Sequence, residues 1–260
     1  MKVTVCQLRN TPSKLERDWQ GLVEHACFEE SDLVVLPEMP FFPWLPSRRT
    51  FDHNRWSAAV SAHENWISRL ADLNVNMVVG TRPVAAASKR YNEGFVWTPG
   101  SGCNGVHLKS YLPDEPFFWE ASWYHRGPCR FDAVDTAWGR LGFLICTEMW
   151  FGERARRYGH QGVDMIVSPR ATPATSSGKW VTGGRTAAVV SGAYSLSSNL
   201  VGELAPGCDF GGVGWIIEPE EGEVLAVTTP KAPYLTLEID LSIARKAKTT
   251  YPRYVPDDYV

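Results

Sequence analysis

An apolar run without alternation stands near the start of the chain: Asp32-Leu33-Val34-Val35-Leu36-Pro37-Glu38. A strand of this kind is typical of a sheet that is covered on both faces. The segment before it repeats apolar residues at helical spacing, at Leu15, Trp19, Leu22, Val23 and Ala26. A helix that feeds a fully buried strand indicates an α/β layer arrangement.

Strand-like and helical segments alternate along the rest of the chain. Further helices are predicted over residues 56–73, 153–158, 180–191 and 241–248. Strands are predicted over residues 3–8, 77–80, 165–168, 196–201, 214–217, 224–227 and 234–239, with hairpins at 93–98/105–108 and 131–134/140–145. This pattern predicts a mixed α/β fold, with helices over a mixed sheet or a pair of sheets. No linker or composition break divides it, so we expect one domain over residues 1–260.

Composition excludes several classes of protein. The 260 residues are 44% hydrophobic and 21% charged, which is ordinary for a globular domain and excludes a disordered or collagen-like chain. A net charge of −3 argues against nonspecific nucleic-acid binding. No apolar run approaches the roughly 20 residues of a membrane helix. The N-terminus lacks the pattern of a signal peptide and the six cysteines form no CxxC pair, so we expect a cytoplasmic protein.

Three predicted strands are each followed by a side chain that can act in catalysis. Glu38 ends the apolar run quoted above, and a carboxylate in such surroundings suits a general base. Lys109 directly follows the predicted strand at residues 106–108, and Cys146 directly follows the one at residues 141–145. Active-site groups of α/β proteins gather at the carboxyl ends of strands, where turn N–H groups and a cation favour a thiolate. The ordinary alternatives are a solvated turn residue, a surface cation and a core thiol.

The common catalytic motifs GxSxG, Walker A and HExxH are absent. Instead, the three residues resemble the Glu-Lys-Cys triad of the nitrilase, or carbon-nitrogen hydrolase, superfamily. The segment from Lys109 is similar to that of N-carbamoylputrescine amidase-like members, in which a glutamate follows eleven positions later, here Glu120. Three shorter matches extend the resemblance over residues 1–240: Trp150-Phe151 with Glu153 and Arg156, Ser168-Pro169, and Ser198-Asn199-Leu200-Val201-Gly202.

The resemblance implies a four-layer α-β-β-α sandwich that pairs into a homodimer or a higher homo-oligomer. It also implies acyl transfer through a thioester on Cys146, with Glu38 as the base. Lys109 and the backbone N–H of Thr147 would stabilise the oxyanion, and Glu120 would orient Lys109. Neither a metal nor an organic cofactor is expected, because the thiol supplies the nucleophile.

The substrate implied is a small amide or N-carbamoyl compound. Nitrilases proper carry tryptophan after the cysteine, where this chain has Thr147, so a nitrile substrate is the weaker alternative. A non-catalytic scaffold on the same fold is a further alternative. Arg170 follows a predicted strand and is expected either to bind an acidic or strongly polar substrate group or to form a salt bridge with Glu148 or another nearby carboxylate. Trp119 and Trp150 are expected to contact the substrate.

Overall fold

The computed structural model describes residues 1–256 as an alternation of helices and strands. Its helices are α1 (Pro12–Glu29), α2 (His53–Ile67), α3 (Glu120–Trp123), α4 (Gly152–His160), α5 (Ser177–Ser191) and α6 (Leu241–Ala247). Its strands are β1 (Lys2–Leu8), β2 (Leu33–Val35), β3 (Met77–Ala86), β4 (Lys89–Thr98), β5 (Gly102–Leu108), β6 (Val134–Thr136), β7 (Gly139–Phe143), β8 (Met165–Arg170), β9 (Tyr194–Ala205), β10 (Cys208–Gly211), β11 (Trp215–Ile217), β12 (Val224–Val227) and β13 (Tyr234–Glu238). Over these residues no helix has both the length and the apolar character that crossing a membrane requires.

The strands form two halves of one hydrogen-bonded sheet. The first half runs β5-β4-β3-β2-β1, and β13 pairs antiparallel with the far side of β1. The second half runs β6-β7-β8-β9, with β11 and β12 continuing beyond β9 and β10 also pairing with it. The halves join where Gln7 and Leu8 of β1 pair with Asn199 and Leu200 of β9. This junction is short, so the two halves fold back on one another.

Apolar side chains fill the space between the two halves and the space under the helices. The central cluster joins residues such as Val3 and Val35 of the first half to Phe143 and Leu196 of the second. A second cluster packs α1 on the outer face of the first half, and another packs α4 and α5 on the outer face of the second. The order of layers is therefore α-β-β-α, which confirms the predicted sandwich.

Several predicted boundaries are wrong for identifiable reasons. The helix predicted over residues 56–73 begins at His53, because the Asp52 side chain accepts a hydrogen bond from Arg55 N, and it ends at Ile67. A separate short 3-10 helix follows at Leu70–Leu73. The strand predicted over 131–134 is instead Val134–Thr136, paired with β7. The sequence pattern missed β10 and the outer parts of β3 and β4, which are stabilised by pairing rather than by an apolar run.

Candidate active site

The three residues predicted to be catalytic lie at strand ends that the two halves of the sheet bring together. Glu38 follows β2, Lys109 follows β5, and Cys146 follows β7. The backbone N–H of Glu38 donates to the carbonyl of Arg170 at the end of β8 (3.1 Å), which connects the halves at this point. Glu38 and Lys109 have no exposed surface, and Cys146 is 4% exposed. The fold therefore builds a buried cluster from groups that are distant in sequence.

The Lys109 ammonium is the centre of this cluster. Its Nζ donates to Glu38 Oε1 and to both carboxylate oxygens of Glu120, each at 2.7 Å. Burial alone would lower the pKa of Lys109, but the charges of Glu120 and Glu38 outweigh burial and raise it. Lys109 therefore stays an ammonium ion, fixed between two carboxyl groups.

The two carboxyl groups differ in what they offer to a reaction. Burial raises the pKa of Glu120 to about 8, against the opposing charge of Lys109. Both oxygens of Glu120 are occupied by Lys109, so Glu120 serves to hold that side chain. Glu38 accepts from Lys109 and from Asn92 Nδ2 (2.7 Å) through Oε1 alone. Within residues 1–256 its Oε2 has no hydrogen-bond partner, which leaves this oxygen available as a proton acceptor.

Cys146 occupies a strained position at the start of a short 3-10 helix, Cys146–Trp150. Its φ of 49° lies in the left-handed region that side chains other than glycine rarely adopt. Burial raises the pKa of its thiol, Glu38 raises it further, and Lys109 together with a hydrogen bond from the backbone of Ala171 lowers it. The resting thiol is therefore protonated and needs a base to become a nucleophile.

Cys146 opens on a pocket of about 730 Å³, a size typical of small-molecule sites. Thr147 and Glu120 line it beside the thiol. Aromatic rings form much of its wall, from Tyr111, Phe118, Trp150, Phe151 and Trp180. Trp150, which was predicted to contact substrate, lines this pocket and is 43% exposed.

Two residues predicted to contact substrate lie elsewhere. Trp119 is not among the residues that line this pocket, and the guanidinium of Arg49 stacks on its ring at 4.9 Å. Arg170 has no exposed surface and does not line the pocket. The alternative salt bridge to Glu148 or another carboxylate is also wrong for the described residues, because the guanidinium donates to neutral oxygens instead and Glu148 accepts from other groups. Arg170 lies behind the pocket wall because its strand directs it between two tryptophan rings, those of Trp180 and Trp215.

With this geometry in view, comparison with known proteins identifies the family. The family model described as carbon-nitrogen hydrolase matches residues 2–249. The chain belongs to the carbon-nitrogen hydrolase family. The membership predicted from Glu38, Lys109 and Cys146 is thus confirmed.

Curated relatives of this carbon-nitrogen hydrolase include amidases. It is 25% identical to the chloroplastic omega-amidase of Arabidopsis thaliana, over 96% of this chain and 70% of that protein. It is 33% identical to N-carbamoylputrescine amidase of Solanum tuberosum over 67 residues only, so the match spans 26% of this chain and 22% of that relative. It is 22% identical to citrullinase of Francisella tularensis over 66% of this chain and 61% of that protein.

Solved structures share the fold. A carbon-nitrogen hydrolase from Helicobacter pylori G27 superposes with a TM-score of 0.87 at 22% identity, covering 99% of this chain and 95% of that one. An amidase from Nesterenkonia sp. AN1 superposes with a TM-score of 0.77 at 16% identity, covering 95% and 92% of the two chains. These neighbours support the sandwich architecture of this carbon-nitrogen hydrolase.

Two buried groups of this carbon-nitrogen hydrolase support the site but were missed in the sequence. Asn92 on β4 donates its side chain to Glu38 and accepts Lys109 N at its carbonyl (2.9 Å). Glu148 accepts from the backbone N–H groups of Ser110 (2.7 Å) and Ile145 (2.9 Å) and bonds His107 Nε2 (2.8 Å). Glu148 thus ties the chain next to Lys109 to the chain next to Cys146. Its position two residues after Cys146 was the only available signal.

Proposed function

We propose that the protein hydrolyses the C–N bond of a small amide or N-carbamoyl compound through a thioester on Cys146. One observation carries this proposal: Cys146 lines the pocket next to a buried charged cluster of Glu38, Lys109 and Glu120, of which Glu120 also lines the pocket. Burying such charges without a function is costly, and perturbed groups of this kind cluster at active sites.

The reaction begins with attack of Cys146 Sγ on the carbonyl carbon. The thiol proton passes to the free Oε2 of Glu38 as the S–C bond forms, and the oxyanion is stabilised by Lys109 and the backbone N–H of Thr147. The tetrahedral intermediate collapses with cleavage of the C–N bond, and Glu38 returns the proton to the leaving ammonia or amine. Water, deprotonated by Glu38, then attacks the thioester, which releases the acid and restores the thiol.

Two kinds of relative support this proposal. In a mutant of the Nesterenkonia amidase, the acetamide moiety of fluoroacetamide is covalently added to the active-site cysteine. Two curated relatives are named omega-amidase and citrullinase. The adduct marks the cysteine of the Nesterenkonia amidase as a nucleophile, and we propose the same role for Cys146 of this chain.

The test is ammonia release by the purified full chain from a panel of small amides, N-carbamoyl compounds and size-matched nitriles. We expect turnover of an amide or N-carbamoyl compound, complete loss in Cys146→Ala, and little change in the exposed-cysteine control Cys27→Ala. Mass spectrometry with a slow substrate should locate the acyl group on Cys146. Activity retained by Cys146→Ala would refute the mechanism, and exclusive turnover of nitriles would replace amide with nitrile as the substrate.

A further inference from the structure

Arg170 is a buried cation with an unusual set of partners. Its guanidinium donates to Ser197 Oγ (2.7 Å), Thr172 Oγ1 (2.9 Å) and Val213 O (2.5 Å), all of them neutral acceptors. No ion pair described over residues 1–256 includes it. The Trp215 ring centroid lies 3.9 Å from its Cζ. Arginine side chains buried to this degree are ordinarily paired with a carboxylate, so the cation needs another explanation.

Arg170 lies directly behind the wall of the active-site pocket: its Cζ is 5.8 Å from the ring centroid of Trp180, which lines that pocket together with Cys146. Glu38 N donates to the Arg170 carbonyl, and the next residue, Ala171, lines the pocket beside Cys146. Burial lowers the pKa of Arg170 to about 9, whereas the charges of Cys146 and Glu38 raise it. Electrostatic coupling is reciprocal, so a cation that is stabilised by the Cys146 thiolate stabilises that thiolate by the same amount.

The positive charge of Lys109 does not replace that of Arg170 in stabilising the Cys146 thiolate. The Lys109 ammonium is already paired with the carboxyl groups of Glu38 and Glu120, and both of these raise the pKa of the Cys146 thiol. No carboxylate among the described residues pairs with Arg170, so no adjacent negative charge cancels the electrostatic field of its guanidinium. Its hydrogen bonds and the Trp215 ring hold it in one place, so the field needs no reorganisation when the thiolate forms.

We infer that Arg170 is a positioning residue whose fixed charge lowers the cost of forming the Cys146 thiolate, rather than a residue that binds the substrate. The inference deepens the proposed function, since it concerns the nucleophile of that reaction. Among the charged groups near the thiol, Glu38 and Glu120 oppose its ionisation and Lys109 favours it. On this inference, Arg170 is added to Lys109, because the Cys146 charge raises the pKa of Arg170.

The test is the rate of alkylation of Cys146 by iodoacetamide as a function of pH, followed on its own peptide by mass spectrometry. In Arg170→Met we expect the alkylation profile to move to higher pH by about one unit, so that alkylation at a fixed pH on the rising limb falls about tenfold. Arg170→Lys should restore most of the rate. The matched control is Arg253→Met, which removes another buried guanidinium, one that is paired with Glu220 outside the pocket.

A purely structural role predicts a different outcome. Arg170→Met would then lower the melting temperature but leave the alkylation profile of Cys146 unchanged, and this result would overturn the inference. If Arg170→Met does not fold, Arg170→Gln provides the same test, because glutamine removes the charge while its amide can still donate to Ser197 or Val213. The alkylation assay needs no substrate. A wild-type enzyme that releases no ammonia would therefore refute the proposed function without deciding the role of Arg170.

Discussion

At the scale of single residues, reactivity depends on which carboxylate oxygens of the buried cluster are left without a hydrogen bond. Glu120 and Glu38 Oε1 are held by Lys109 and Asn92, and Glu38 Oε2 is left without a partner. A carboxylate that is fixed through one oxygen and open at the other presents a base in a defined orientation. Asn92 is therefore as much a part of the arrangement as Lys109, although it carries no charge.

Replacing Asn92 tests this orientation. Asn92→Ala should lower kcat by about ten- to hundredfold, because Glu38 loses the net benefit of one charge-assisted hydrogen bond, roughly 1.5–3 kcal/mol, and part of its alignment. Asn92→Asp should cost more, since it sets a second carboxyl group beside Glu38. Steady-state kinetics on any amide turned over by the wild type provides the measurement. The exposed Asn104→Ala serves as control, and wild-type kcat in both Asn92 variants would contradict the positioning role.

At the scale of elements, α5 lies so close to the second half of the sheet that its glycines are not equivalent. A Cβ added to Gly184 would lie 2.7 Å from ring atoms of Trp215, the indole that stacks on Arg170. A Cβ added to Gly178, in the first turn of the same helix, would meet nothing within 4 Å. Close approach of helix and strand, rather than conformational freedom, therefore accounts for the glycine at position 184.

This contrast gives a matched pair of variants. Gly184→Ala should destabilise the protein by about 1–3 kcal/mol, because Trp215 and the helix backbone must move apart. Gly178→Ala should be neutral or stabilising by up to about 1 kcal/mol, since alanine favours the helix. Urea unfolding at fixed pH measures both. Equal effects of the two substitutions would show that α5 does not pack on Trp215 as described.

Helix α2 makes the stability of the fold depend on pH through a buried histidine. His63 on α2 is 2% exposed, its Nδ1 bonds the Ala59 carbonyl (2.8 Å), and its ring lies against Phe41. Burial lowers its pKa from 6.5 to about 4. Below pH 6.5, His63 therefore binds a proton in the unfolded chain but stays neutral in the folded chain. The free energy of unfolding consequently decreases as the pH falls towards 4.

We expect this histidine to remove up to about 3 kcal/mol from the free energy of unfolding between pH 6.5 and 4. His63→Phe keeps a ring and removes the titration, so its stability relative to wild type should rise as the pH is lowered. His53→Phe, at an exposed position of the same helix, is the control. A difference between His63→Phe and wild type that stays constant from pH 7 to 4 would contradict the assignment.

At the scale of the whole molecule, two sheet halves and four clusters of apolar side chains keep the catalytic strand ends in register. Over residues 1–256 the strands of the two halves pair at two positions, Gln7 with Asn199 and Leu8 with Leu200. The hydrogen bond from Glu38 N to the Arg170 carbonyl adds a further link at the site itself. Packing between the halves, more than backbone pairing, thus aligns Glu38 with Cys146.

Association into a homodimer or a higher homo-oligomer stays a prediction from the family resemblance. Light scattering on the purified chain should give a mass of about twice the 29.0 kDa of one copy, or a higher multiple of it. A mass near that of a single copy at micromolar concentration would contradict the prediction.

The sequence alone predicted the features that depend on neighbours within one element. Apolar runs predicted the buried strands and helical spacing predicted α1, because burial on one or both faces leaves a local pattern. The residue types after strands, Glu38, Lys109 and Cys146, indicated the chemistry for the same reason. The eleven-residue interval to Glu120 resembled a family motif, and the structure places both Glu120 oxygens on Lys109.

Only the tertiary structure decided which partners these residues have. Asn92 reaches Glu38 across 54 positions of sequence, and Lys109 reaches Glu38 across 71. The environment of Arg170 was wrongly predicted for this reason: its place after an apolar strand suggested the pocket, whereas Trp215 and Val213, more than 40 positions later, enclose it. Local pattern reports that a side chain is buried, but the partner that compensates its charge is set by which distant strands meet.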